Sequence, residues 1–158
     1  MEGRLIKSTD IQVWGLNNDG TIRVKLASNV LGNVFPNMTG VQNRDLQQLT
    51  YVVGILNNHA SLALTTVKIY FRIVDPKGAG LSMALDPAGP VVKTGKVWSP
   101  DTPPTTFTSP TTIASGLAVA TLNPGFVQSV WIRRIAVGGT SYAHPERNTL
   151  TITGTSAA

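Results

Sequence analysis

The chain has 158 residues, 42% of them hydrophobic, which is enough to bury a core within one domain without staples. Only 13% are charged, so the surface must be covered by Thr, Ser, Asn and backbone groups, and long helices lack the Lys and Glu their wet faces need. Thirteen Lys and Arg against eight Asp and Glu leave a charge of +5, and the absence of cysteine excludes disulfides, thiolate zinc sites, iron–sulfur clusters and cysteine nucleophiles.

Fifteen glycines and ten prolines fall mostly between short runs of Val, Ile, Leu and Thr, the pattern of an all-β domain. Strands are expected over 11–16, 21–27, 49–57, 62–74, 81–85, 91–98, 116–122, 126–137 and 149–153. Residues 1–8 precede them as an extended arm. Asn17-Asn18-Asp19-Gly20 is an Asp-Gly turn and predicts a hairpin between the first two strands. Residues 27–47 carry Asn, Gly, Pro and Met with no clear period. Asn57-Asn58-His59-Ala60-Ser61 reads as a second hairpin turn, because Asn tolerates left-handed backbone angles.

In the fourth run Val67, Ile69, Phe71 and Ile73 alternate with Lys68, Tyr70 and Arg72, so one face is dry and the other wet. The last run repeats this, with Leu150 and Ile152 between Thr149, Thr151 and Thr153. Residues 126–137 are apolar on both parities, as in a central strand covered on both faces. The tract 99–112, with Pro100, Pro103, Pro104 and Pro110, cannot lie inside a sheet and is expected as an extended loop. The pattern predicts a two-layer β-sandwich or jelly roll with an N-terminal arm and long loops. Residues 1–47 hold the arm and early strands and 48–158 the sandwich core, as one domain.

The chemistry-bearing residues are sparse. His59 and His144 sit in separate loops outside any metal-ligand spacing, so neither a metal nor another cofactor is expected. The acids Glu2, Asp10, Asp19, Asp45, Asp75, Asp86, Asp101 and Glu146 lie largely beside turn formers, where carboxylates close turns. Scattered glycines give no phosphate loop. Trp131-Ile132-Arg133-Arg134 could clamp a polyanion, but consecutive strand residues face opposite ways and the other cations are dispersed, so nucleic-acid binding is not expected. Trp14, Trp98 and Trp131 are the largest apolar anchors. Core packing is their ordinary use, and Trp98, where a strand enters the Pro-rich loop, is the candidate for an interface. No run is long enough to span a bilayer and the N-terminus lacks the apolar stretch of a secretory signal, so synthesis in a cytoplasm is expected. The chain is not expected to be an enzyme.

Several islands, in order, resemble a family of tailed-bacteriophage virion proteins: 51–64 (YVVGILNNHASLAL) with 67–70 (VKIY), 81–88 (LSMALDPA), 122–125 (LNPG) leading into 130–134 (VWIRR), and 150–154 (LTITG). The resemblance does not extend to 27–47. It implies a β-sandwich on the virion, in the manner of capsid decoration (cement) proteins that bind and bridge major capsid subunits, with a small homo-oligomer such as a trimer, made in the host cytoplasm. It carries no catalytic residues. Contact with the capsid protein is expected through Arg4 and Lys7 of the arm and through Trp98, Pro103, Pro104 and Phe107 at the Pro-rich loop. A tail, baseplate or connector component is the alternative within the virion. A carbohydrate-binding sandwich using Trp98 or Tyr142 as stacking platforms is the alternative from another class.

Overall fold

The computed structural model describes residues 4–17, 19–26, 48–73, 79–93, 103–136 and 148–157. They form two antiparallel sheets and no α-helix; a single 3-10 turn, Ser8–Asp10, precedes the first strand. The strands are β1 (Ile11–Leu16), β2 (Ile22–Leu26), β3 (Gln48–Asn57), β4 (Leu64–Ile73), β5 (Ala79–Leu85), β6 (Val91–Val92), β7 (Leu117–Ala118), β8 (Phe126–Ala136) and β9 (Asn148–Ser156). One sheet runs β2-β1-β3-β8-β5, with β6 also on β8; the other runs β7-β4-β9. The protein is therefore an all-β sandwich. β1 and β2 share a sheet with β3, so the described residues before 48 and those after it contribute to one body.

The two sheets enclose a core of Val53, Ile55, Leu64, Val67, Ile69, Phe71, Met83, Val119, Leu122, Val130 and Ile132. The register explains who faces inward. Ile69 stands opposite both Ile152 and Leu117, and Phe71 opposite Leu150, so the pairs in the middle of this sheet that turn toward the larger one are apolar. Lys68 opposite Thr153, Tyr70 opposite Thr151 and Arg72 opposite Thr149 turn the other way. The larger sheet is buried on both faces. Trp14, Leu16, Val52, Leu56, Val127 and Trp131 form a second buried cluster on the side away from the three-stranded sheet, with Phe107 packed on it. The doubly apolar run 126–137 is thus the central strand β8, held between β3 and β5.

The expected Asp19-Gly20 hairpin is present: Gly20 has φ +83, the Gly20 N–H reaches the Asn17 carbonyl, and β1 and β2 pair antiparallel. The second expected hairpin is a correction. The segment 57–61 carries the chain from one sheet to the other, because β3 already has β1 and β8 on its two edges and leaves β4 no ladder to join. Asn57, fully buried, builds the crossing: its Nδ2 donates to the Leu62 and Leu122 carbonyls at 2.8 Å each, and its Oδ1 accepts the His59 N–H. His59 Nδ1 then accepts the N–H groups of Ser61 and Leu62, so this histidine holds a turn. The strand expected over 116–122 also differs, pairing regularly only over β7. Val119 and Leu122 are both buried, a spacing of three that a period-two strand cannot give, and Leu122 rejoins by a bridge to Leu64. Of the expected strand 91–98, Val91 and Val92 pair with β8, and 94–98 lie outside the described residues.

Candidate functional site

The N-terminal arm lies along the edge of β9. Leu5 bridges Thr155, the Ile6 N–H donates to the Gly154 carbonyl, and the Ser156 N–H donates to the Arg4 carbonyl at 2.7 Å. Arg4 faces Asp10 in a forked pair, Nη1 to Oδ2 at 2.7 Å and Nη2 to Oδ1 at 3.0 Å, and the Lys7 N–H adds a third bond to Oδ2. The Arg4 hydrogen bonds, joined by that of Lys7, outweigh the cost of burial and hold the Asp10 carboxyl down at about 2. Arg4 therefore works as a clasp for the arm, while the Lys7 side chain is exposed.

The described part of the Pro-rich loop is also held by its own sandwich. Thr108 makes a reciprocal pair of backbone bonds with Met83 on the edge strand β5, Ser109 Oγ donates to the Leu81 carbonyl, and the Pro110 carbonyl accepts the Phe71 N–H of β4. The loop thus ties the edge strand β5 of one sheet to the middle strand β4 of the other, past the short β7, which a proline-rich segment can do because only selected N–H groups need partners. Pro103, Pro104 and Phe107 are half-buried, and the Phe107 ring lies 4.3 Å from the Arg133 guanidinium. Trp98 lies outside the described residues, as do His144 and Tyr142.

Trp14 and Trp131 are core residues. Lys93 covers the Trp14 ring at 4.5 Å, and Trp131, with no exposed surface, donates its Nε1 hydrogen to Asp86 Oδ2 at 3.0 Å. Asp86 begins an Asp86-Pro87-Ala88-Gly89 turn, with the Ala88 N–H on Oδ1, the Gly89 N–H on its carbonyl and φ +69 at Gly89. The turn interrupts the edge that β5 and β6 present to β8. Burial pushes the Asp86 carboxyl up, against the opposing pull of the Ala88 and Trp131 hydrogen bonds. The polyanion clamp raised by Trp131, Arg133 and Arg134 does not assemble: Trp131 is enclosed, and Arg133 is stacked on Phe107 and bonded to Ser82 Oγ at 3.2 Å.

What the sandwich presents outward is the face of the three-stranded sheet. Lys68, Tyr70 and Arg72 lie beside Thr149, Thr151, Thr153 and Thr155, with Ala118 on the far side of Lys68. The Lys68 ammonium reaches the Gly116 carbonyl at 3.4 Å. At one end of this face, between exposed Leu5 and exposed Ile113, lies an open depression of about 350 Å³ floored by Thr66, Lys68, Thr153 and Gly154. Its wall is a bulge: from Thr65 opposite Thr155 to Lys68 opposite Thr153, β4 uses one residue more than β9. Thr66 there has φ +52, an unusual backbone for a β-branched residue, and is held by Thr66 Oγ1 to Thr155 Oγ1 at 2.9 Å. Gly154 lies opposite it, where a Cβ would stand 3.1 Å from the Thr65 carbonyl oxygen and from Val67 Cα, tighter than ordinary van der Waals contact.

No group of three or more His, Asp or Glu residues placed to hold a metal occurs among the described residues. The sequence had no signal for the clasp or the bulge. Arg4 and Asp10 belong to different local patterns, and Thr66 is one of three unremarkable Thr or Val positions in a row. No protein-family model, curated protein or solved structure matches the chain.

Proposed function

We propose that this chain is a structural protein of a tailed-bacteriophage virion, a capsid decoration protein that binds and bridges major capsid subunits and performs no catalysis. The observation that carries the reading is the deployment of its polar side chains. Asp10, Asn57, Asp86 and Gln128 are buried and hydrogen-bonded within the fold, holding an arm, a crossing and a turn. On the three-stranded sheet Lys68, Tyr70, Arg72, Thr149 and Thr151 lie on one outward face, where they can meet a surface and do not converge on a reacting atom. The ordered resemblance of 51–64, 67–70, 81–88, 122–125, 130–134 and 150–154 to virion proteins supplies the setting, and a basic chain suits an acidic shell.

In this reading the protein is made in the host cytoplasm and works on the capsid surface as a small homo-oligomer, a trimer being the form the resemblance favours. The test is co-sedimentation of purified protein with heads of the encoding virus assembled without it. Saturable binding is expected at a fixed ratio to the capsid subunits. Binding to isolated tails and not to heads would move the protein to the tail or baseplate, and retention on immobilised glycans with no binding to either particle would favour the carbohydrate reading.

A further inference from the structure

We infer that the outward face of the three-stranded sheet docks an acidic protein surface that places one apolar side chain in the depression between Leu5 and Ile113. The inference rests on the capsid-binding reading and gives it a face and a chemistry.

Charge selects the partner. Lys68 and Arg72 project from this face, and the carboxylates among the described residues lie elsewhere: Asp10 is paired to Arg4, Asp19 closes the β1–β2 turn, and Asp86 is buried under Trp131. An approaching carboxylate therefore meets cations with no described acid on the same face to repel it. Lys68 and Arg72 are four residues apart on one strand, about 13 Å at the usual rise. That spacing suits two separate carboxylates on a folded surface better than the closely spaced phosphates of a nucleic acid, which call for a denser row of cations.

Apolar exposure selects the anchor point. Leu5 is 77% exposed and Ile113 55%, and both border the same depression. Two large aliphatic side chains left in water on either side of a hollow form a seat for a third. The hollow is held in shape before any partner arrives. Its wall carries the left-handed Thr66, and its floor is the Gly154 backbone, with Thr155 Oγ1 hydrogen-bonded to both Thr65 and Thr66. Backbone strain that neighbouring bonds maintain is a mark of a site shaped for contact. The threonines along β9 have few rotamers to lose, so ordering them against a partner costs little entropy.

The test uses the full chain, isotopically labelled, titrated with an eleven-residue peptide carrying one Leu between two pairs of Glu, and separately with a version bearing Ser for Leu, one bearing Lys for Glu, and a short DNA duplex. Saturable amide shifts at Leu5, Lys68, Arg72, Thr153 and Thr155 are expected with the first peptide, roughly tenfold weaker with the Ser version and absent with the Lys version. Lys68→Glu with Arg72→Glu should weaken peptide binding roughly tenfold or more, and Leu5→Ser to a smaller degree, with melting little changed, since Leu5 and Arg72 are exposed and half-buried Lys68 gives up one long bond to the Gly116 carbonyl. Lys25→Glu, on the other sheet, should leave it intact. Shifts spread elsewhere, equal binding of the Lys peptide, or preferential binding of the duplex would overturn the inference. The same variants are then sedimented with undecorated heads. If heads bind wild type and the double variant equally, the face is wrong and the decoration reading stands. If heads bind neither while the acidic peptide still lands on the face, the decoration reading falls and the docking chemistry stands.

Discussion

The two sheets of this protein obey different rules although they are made of similar residues. Beyond the bulge at Thr65 and Thr66, β4 and β9 alternate, because the core covers their inward face and water meets their outward face. β8 and β3 do not alternate: Val130 and Ile132 enter the inter-sheet core while Val127 and Trp131 enter the outer cluster. The six-stranded sheet is therefore the scaffold, and the three-stranded sheet is the half of the sandwich with a face to offer. Burial on both sides consumes a sheet's side chains for stability, whereas burial on one side leaves every second residue available for contact.

Substitutions can break or sharpen this contrast. Trp131→Ala should cost about 3 to 5 kcal/mol in urea unfolding, since it empties a fully enclosed site and removes the indole bond to Asp86. Tyr70→Ala, at an outward position of β4, should cost well under half of that, and equal losses would mean that the outward face is as structural as the inner one. Trp131→Phe keeps one aromatic ring but removes the indole N–H together with part of the ring system, for an expected loss of about 1.5 to 3 kcal/mol, smaller than that of Trp131→Ala. Gly154→Ala forces a Cβ against backbone at the bulge and should cost about 1 to 3 kcal/mol, concentrated in the three-stranded sheet and visible as faster amide exchange in β4 and β9.

Acid should separate the two buried carboxyls, Asp10 and Asp86, by sign. Asp10, held at about 2 in the fold against 3.8 as its ordinary value, contributes stability that is complete above 3.8 and is lost as pH falls toward 2. Asp86, raised by burial, does the opposite: its folded form takes up a proton more readily, so its contribution is complete below 3.8 and is lost as pH rises through its folded value. Melting temperatures measured from pH 6 to pH 2 should show a shallower acid loss for Asp10→Asn than for wild type and a steeper one for Asp86→Asn. Identical profiles would remove both groups from the account. The smallest effect expected is that of Thr151→Val on the outward face, within about 0.5 kcal/mol of wild type.

Much of this contrast was legible in the residues. The strict alternation of 67–73 and 149–153 marked a half-wet sheet, the doubly apolar 126–137 marked a covered central strand, and Asp19-Gly20 marked the hairpin. The turn residues of 57–61 were also correctly read as a turn, but a turn signal says only that the chain reverses or bends. Which strand receives it depends on which edges are already occupied, and β3 had none to spare. Of the expected contact residues, Arg4 forms the clasp on Asp10 and Phe107 packs on the second cluster, roles set by a partner six positions along the chain and by residues of β1, β3 and β8. The bulge at Thr66 left no trace in the pattern, because Thr65, Thr66 and Val67 are all ordinary strand residues and only the mismatch with β9 creates the extra one.

Composition and period alone determined that this protein would be built of β-strands, with few charges, no thiol chemistry and one sheet wet on a single side, since those follow from side-chain type and the two-residue repeat. The tertiary structure decided which edges pair, that the arm and the Pro-rich loop close against their own sandwich, and that Leu5, Ile113 and Lys68 surround one hollow. Those arrangements join residues as much as 150 positions apart, and local preference carries no information about contacts at that range.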